Sequence, residues 1–306
     1  MRSLLLLGVL FCLSIPGMSY AQTEKLFHGL ELYESLASGK AKMEPYAQQI
    51  KLIEVESPGF PLSKSSEAHV VCQNYQTQSG TIAEVVFTFA DDKLSYIQAY
   101  GNAVEALTGH RKDTAQTYMG YGAYWKDYIV TKPAEDKVWI LTPEAAHPNL
   151  FTWDNPYLPS NGGQPKTYET SAKVPEFVKM GGKLEDLQPV LEKASMFTNT
   201  MKLDGSDPNA QLQLDCFGIE YAGFPRKFEA RFGDEQLNVV WILTGKGEED
   251  RIRQKLIEAY GEIIFKNEAW EVFDNWQVLL RKDKPEVLLL TPELGEFYKK
   301  EYFKQQ

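Results

Sequence analysis

The densest set of side chains able to bind something is aromatic: Tyr118, Tyr121, Tyr124, Trp125 and Tyr128 fall within 11 residues. Rings of this kind stack on sugars, peptides or other rings, and the polar ends of Tyr and Trp hydrogen-bond at the wet rim of an apolar contact. Read as one strand from Tyr121 to Thr131, the segment places Tyr121, Trp125 and Ile129 on one face and Tyr124, Tyr128 and Val130 on the other. Both faces are apolar, so one covers a core and the other meets a second domain or a ligand. Trp270, Val272, Trp276 and Val278, opposite Phe273 and Leu279, repeat the pattern more sparsely. Trp153 and Tyr157, with Asn155 between them, form a smaller platform for a sugar or peptide, or a tether.

Patterns for bond-making chemistry are missing. His28, His69, His110 and His147 are scattered, and the one His–Cys pair at short spacing, His69 with Cys72, has no second His or Cys beside it, so no structural zinc site is expected. There is no Gly-x-Ser-x-Gly elbow, and Leu62-Ser63-Lys64-Ser65-Ser66 reads as a solvated loop. Gly120-Tyr121-Gly122 and Gly162-Gly163 lack the strand-turn-helix setting of a phosphate loop. The 42 acidic side chains offer many carboxylates and no way of choosing an acid or base among them. Asp204-Gly205-Ser206-Asp207-Pro208-Asn209 has the oxygen types a calcium ion takes, but not the further spaced acceptors or terminal Glu, and its Asp-Gly and Asp-Pro pairs read as a turn. No catalytic residue, metal ligand or cofactor is assigned.

Three cysteines are present. Cys12 lies in an apolar run from Leu4 to Ile15 that follows Arg2 and precedes Pro16-Gly17 and the small-x-small triplet Ser19-Tyr20-Ala21. This is the layout of a secretory signal cleaved before Gln22, and the run is too short for the roughly 20 residues a membrane span requires. Residues 1–21 are therefore expected to be removed from a periplasmic or secreted protein. The remaining 285 residues carry a net charge of −11, which argues against a nucleic-acid partner because phosphate binding needs a basic patch. Cys72 and Cys216 remain, in a compartment where disulfides persist. Two readings stand: a bridge stapling two halves, or two separate buried thiols.

Those two cysteines belong to an internal duplication. Phe89-Ala90-Asp91-Asp92-Lys93-Leu94 aligns with Phe232-Gly233-Asp234-Glu235-Gln236-Leu237 at an offset of 143, the cysteines match at 144, and Leu141-Thr142-Pro143-Glu144 matches Leu290-Thr291-Pro292-Glu293 at 149. In each copy, period-two alternation marks strands (Val85, Phe87, Phe89; Phe228, Ala230, Phe232) joined to their partners by acidic turns. Helices are expected over Ala103 to Tyr118 and Glu248 to Tyr260, the second stopped by Gly261. Strands follow at Tyr121 to Thr131 and Val138 to Leu141, and at Trp270 to Arg281 and Val287 to Leu290. Thr142-Pro143 and Thr291-Pro292 read as capped helix starts.

The fold class is thus α+β: two tandem, internally duplicated β-β-β-α-β-β modules with mainly antiparallel sheets. The expected organisation is a signal over 1–21, an N-terminal helix (Leu26, Phe27, Leu30, Tyr33, Leu36) and lead-in over 22–67, a first repeat over 68–147, a partly helical connector over 148–209, and a second repeat with a C-terminal helix over 210–306. A symmetric pair of modules without a catalytic pattern is expected to be a non-catalytic binding or scaffold protein. Its partner would be a small molecule, a glycan or a protein, held at the junction or on a sheet face. The alternative is a secreted hydrolase with carboxylates assembled from distant positions.

Overall fold

The computed structural model describes residues 21–303, so the expected signal segment and Cys12 lie outside the described residues. Among the described residues no helix is long and apolar enough to cross a membrane.

A short helix α1 (Ala21–Leu26) is followed by α2 (Leu36–Met43) and by four antiparallel strands: β1 (Gln49–Val55), β2 (Glu67–Gln76), β3 (Thr81–Ala90) and β4 (Lys93–Tyr100). Helix α3 (Ala103–Thr108) leads to β5 (Gln116–Tyr118), β6 (Tyr121–Tyr124), β7 (Ile129–Lys132) and β8 (Lys137–Leu141). After the connector the series recurs: α4 (Leu184–Ala194), β9 (Phe197–Lys202), β10 (Leu212–Tyr221), β11 (Phe224–Gly233), β12 (Gln236–Leu243), α5 (Glu249–Tyr260), β13 (Phe265–Lys266), β14 (Trp270–Phe273), β15 (Val278–Arg281) and β16 (Glu286–Leu290). Helix α6 (Pro292–Glu301) follows β16.

The two eight-stranded antiparallel sheets have the same strand order. The first runs β1-β2-β3-β4-β8-β7-β6-β5 and the second β9-β10-β11-β12-β16-β15-β14-β13. The duplicated unit therefore includes a leading helix and edge strand, α2–β1 and α4–β9, which sequence identity left in the lead-in and the connector. Sequence also matched the central hairpin. Asp91 and Asp92 have φ of 48° and 60°, Asp234 and Glu235 have 50° and 62°, the doubly left-handed turn whose twist suits a two-residue hairpin. A β-bulge sits at the matching place in both hairpins, between Thr88 and Phe89 and between Arg231 and Phe232.

Several local expectations give way to tighter turns. The expected N-terminal helix is interrupted because His28 and Tyr33 take φ of 53° and 67°, a conformation that cannot continue a right-handed helix. Ala103 to Tyr118 is helical only to Thr108, and Gln116–Tyr118 pairs with β6 instead. The long strand expected from Tyr121 to Thr131 folds back on itself as β6 and β7, with Tyr128 at φ 51°. Its second-copy counterpart turns at Asp274, Asn275 and Trp276, all with positive φ. Thr291 caps α6 by accepting from the Leu294 N–H, whereas Thr142 does the same for Ala145 over a single turn.

Each sheet buries its inner face against its own helices. Val70, Cys72, Val85, Phe87 and Ile97 lie in the first core, and Leu214, Cys216, Phe228, Ala230 and Val240 in the second. The bridge between Cys72 and Cys216 is therefore corrected to the other reading: both thiols are free and buried. Their strands are equivalent, but each side chain faces inward, and the modules meet through outer surfaces, so the sulfurs point away from the junction.

The outer faces are equivalent too. Tyr96, Tyr121, Ala123, Val130, Trp139 and Leu141 of the first sheet correspond to Val239, Trp270, Val272, Leu279, Leu288 and Leu290 of the second. Their covers differ. The first face lies under connector residues such as Leu150 and Trp153 and under Phe197 and Phe224 of the second module. Over the second face lie Leu294 and Tyr298 of α6 and the following Phe303.

Candidate functional site

The aromatic residues singled out in the sequence are spread through this architecture, and most serve it. Tyr121 is buried and packs on Phe151 and Phe197, with its hydroxyl donating to the Phe151 carbonyl at 2.8 Å. Trp153 is buried against Phe60, Tyr96 and Phe224, so it joins connector to both modules. Tyr157 is half-buried and covers the ring of His69 at 4.5 Å. Tyr124 carries the Arg111 guanidinium 4.3 Å above its ring, and Trp270 and Trp276 hold Arg281 and Lys299 at 5.5 and 5.7 Å. Trp125 and Tyr128 are half-buried in the turn between β6 and β7 and pack against the same cluster as Tyr121. The structure thus brings Tyr121, Trp125, Tyr128 and Trp153 into one junction cluster, and leaves Trp270 and Trp276 beneath the last helix.

Under the connector runs a buried polar chain. Glu67 accepts from the N–H groups of Gly59 and Phe60 at 2.7 and 2.8 Å and bonds the His69 Nε2 at 2.8 Å. The His69 Nδ1 lies 3.1 Å from the Thr88 hydroxyl and 3.0 Å from the Asn155 amide nitrogen. Asn155 donates its backbone N–H to Gln98, which donates to Asp154. Carboxylate, imidazole and hydroxyl are aligned as in a nucleophilic triad, but His69 and Thr88 have no exposed surface. Reacting atoms need access and a place for the substrate. The chain therefore fastens residues 153–158 to the first sheet.

A second fastening sits at the junction. The pairing of β11 with β12 runs from Gly233 to Phe228 and stops, so Lys227 and Leu243 face each other without bonding. Asn149 fills the split: its side-chain oxygen accepts from the Lys227 N–H at 2.7 Å and its amide donates to the Leu243 carbonyl at 2.8 Å. Beside it, the fully buried Arg226 makes two bonds to Glu248 at 2.7 and 2.9 Å and a third to the Tyr221 carbonyl. Burial alone would raise the Glu248 carboxyl, but Arg226 and then Arg251 outweigh it and hold the group down to about 2.

Charge is also concentrated on the outer face of β10 and β11. Lys227 bonds Asp215 at 3.1 Å and Glu229 at 2.9 Å, and Arg231 bonds Glu229 at 3.0 Å and Gln213 at 2.8 Å. Burial would push Lys227 down and Glu229 up. Their mutual attraction wins in both cases, so Lys227 titrates above and Glu229 below its ordinary value. Glu286, on the same face, is raised by burial, with Lys284 and Arg281 opposing and Glu229 adding to the rise. Tyr118 and Phe217, 6.5 Å apart, bring the β5–β6 turn of the first module to this ladder.

An open concavity lies elsewhere, on the second module. A groove of about 620 Å³ separates connector residues 166–177 from the end of α4 and the β10 bulge. Val174, Phe177, Met196 and Ile219 supply apolar surface, and Lys166, Lys173, Glu169, Glu176 and Glu220 supply charge. Its shape depends on Gly218, the bulged residue, at φ 86°; a Cβ there would stand 2.8 Å from Met196. Met196 itself is 65% exposed on the rim. Nothing in the sequence marks this groove as a unit, since its lining comes from three separated segments. The only local signal was the glycine that interrupts the alternation of β10.

The Asp204–Asn209 segment is a self-satisfied turn. Asp204 accepts from the Ser206 N–H and hydroxyl, and Asp207 from the Asn209 N–H. Among the described residues, no group of three His, Cys, Asp or Glu side chains is placed to hold a metal ion. Comparison with protein-family models, with curated proteins and with solved structures finds no match to this chain.

Proposed function

We propose that the chain is an exported, non-catalytic binding or scaffold protein whose ligand site is the groove between residues 166–177 and the β10 bulge. The supporting observation is the groove itself: about 620 Å³, with apolar walls and charges of both signs at its margin. That volume falls within the range of ligand sites. The mixture suits a short peptide or another amphiphilic small molecule better than a sugar, because Phe177 is the one aromatic residue in its lining and is only partly exposed. The junction aromatics are occupied by each other, which is why the ligand site is placed away from them.

The test is a thermal-shift and calorimetric screen of short mixed-charge peptides, oligosaccharides and amphiphiles, repeated with Met196→Arg. That substitution at an exposed position projects a long cation into the groove. Peptide binding lost in the variant supports the reading; binding retained at full strength moves the site elsewhere, and a screen without any ligand removes the proposal's basis.

A hydrolase remains the second reading because Glu286 is pushed up while nearby Glu229 is held down, and such divergence marks acid and base roles in known sites. Chromogenic glycoside and ester turnover that disappears in Glu286→Gln would establish it over the first.

A further inference from the structure

The junction contains one titratable group whose neighbours are arranged against its charged form. His147 starts the 3-10 turn Pro148–Phe151, and its Nδ1 accepts from the Asn149 N–H at 3.3 Å. Asn149 is the residue whose side chain closes the split between β11 and β12. Imidazole and clasp are thus two residues apart and joined by a hydrogen bond.

The groups facing His147 can be named element by element. From β11 come Arg226 and Lys227, and from the start of α5 comes Glu248. Its own turn brings Glu144, and the other neighbours, Phe60, Pro61, Leu62, Ala145, Leu150 and Gly245, carry no charge. Glu248 is committed to Arg226 and Arg251, so it cannot serve a third cation without giving up one it holds. On the inward side of the ring a void of about 10 Å³ has scarcely room for one water, so only the outer edge of the imidazole is screened by solvent.

We propose that His147 is a pH-sensitive latch: neutral, it holds the Pro148–Phe151 turn and the Asn149 clasp against the second module, and protonated, it releases them. Protonation removes the Nδ1 lone pair that accepts from Asn149, and it sets a third positive charge beside Arg226 and Lys227. Both effects favour an arrangement in which the turn has left the strand ends. The released state frees the Lys227 N–H and Leu243 carbonyl and separates Trp153 from Phe224, so the joint between modules loosens while each core stays intact.

The sign and size follow from linkage. Burial, with Arg226 and Lys227 opposing Glu248, lowers His147 from its ordinary 6.5 to about 4 in the closed junction. The open form, free to ionise at its ordinary value, gains as pH falls through 6.5 toward 4. Between pH 7 and pH 5 those two values give an increase of roughly 20-fold in the opening equilibrium. Because His147 is only half-buried by surface, solvent screening reduces this to about tenfold.

Hydrogen exchange measured by mass spectrometry on the full chain at pH 7 and pH 5, corrected for intrinsic exchange chemistry, reads this directly. In the wild type, segments 145–155 and 224–228 are expected to lose about tenfold in protection at pH 5, with β3 and the middle of β12 unchanged. His147→Gln and His147→Asn keep an acceptor for the Asn149 N–H and cannot titrate, so both are expected to hold the same protection at the two pH values. The latch is overturned if wild-type protection at the junction is the same at both pH values. It is equally overturned if either folded variant loses protection as the wild type does, since the titrating group would then be another one. Two variants are used so that one failing to fold leaves the other to decide.

Discussion

Replacing Asn149 with Ala tests whether the modules are joined by a specific polar clasp or by apolar packing alone. The side chain is 2% exposed and makes two short bonds to backbone groups that have no strand partner. Ala removes both. The Lys227 N–H and the Leu243 carbonyl would then stay buried without partners, and each such group costs about 1–3 kcal/mol. A total near 3 kcal/mol is expected, allowing for partial relaxation. For a chain of this size that is a fall in melting temperature of about 6 °C. Urea unfolding should be followed by circular dichroism and by tryptophan fluorescence, because two modules need not melt together. Asn149→Asp keeps the acceptor for Lys227 but turns a carboxylate toward the Leu243 carbonyl, so it should fall between wild type and Ala in amide protection at Lys227. A loss below about 0.5 kcal/mol in Asn149→Ala, with Lys227 still protected from exchange, would refute the clasp.

Three further outcomes follow from buried or capped groups. Tyr75 and Tyr221 each have a buried hydroxyl without a partner among the described residues, so Tyr75→Phe and Tyr221→Phe should leave stability unchanged or raise it by up to about 1 kcal/mol in urea unfolding. A loss above that size would mean the hydroxyls are satisfied by water. Burial raises Asp91, but the N–H groups of Ser65, Ser66 and Lys64 and the Ser65 hydroxyl outweigh it and hold the carboxyl down to about 2. This bond set therefore contributes stability above about pH 3.8 that is lost as pH falls toward 2. Asp91→Asn should flatten that part of the acid unfolding profile, and an unchanged profile would contradict it. Burial raises both Cys72 and Cys216 to about 12. Neither thiol should react with iodoacetamide in the folded chain, and both should do so in guanidinium without reductant, as read by intact mass.

How far the sequence reached depends on the range of the forces involved. The central hairpins were legible because alternation and a pair of acidic turn residues are local signals, and they recur at Phe89–Leu94 and Phe232–Leu237. The edge strands β1 and β9 were not. Gln49–Val55 is bonded on one side only and largely exposed, so its side chains need not alternate. The breaks at Tyr33 and Tyr128 were hidden because left-handed backbone is uncommon at bulky residues of this kind and nothing local announces it. For the candidate site, the junction aromatics were visible as a cluster, but their mutual burial was not. Asn149 offered nothing to read: its role exists only because two strands 78 and 94 residues away separate beside it.

The unequal covering of two equivalent faces gives the chain a polarity, like tiles laid so that each offers adhesive to the next. The first tile's adhesive side receives the connector and the rings of Phe197 and Phe224. The second tile's side is sealed by Leu294, Tyr298 and Phe303. The second copy thus carries its own cover, and the first borrows one from the chain that follows it. A chain cut before Pro292 presents the bare side of its second tile.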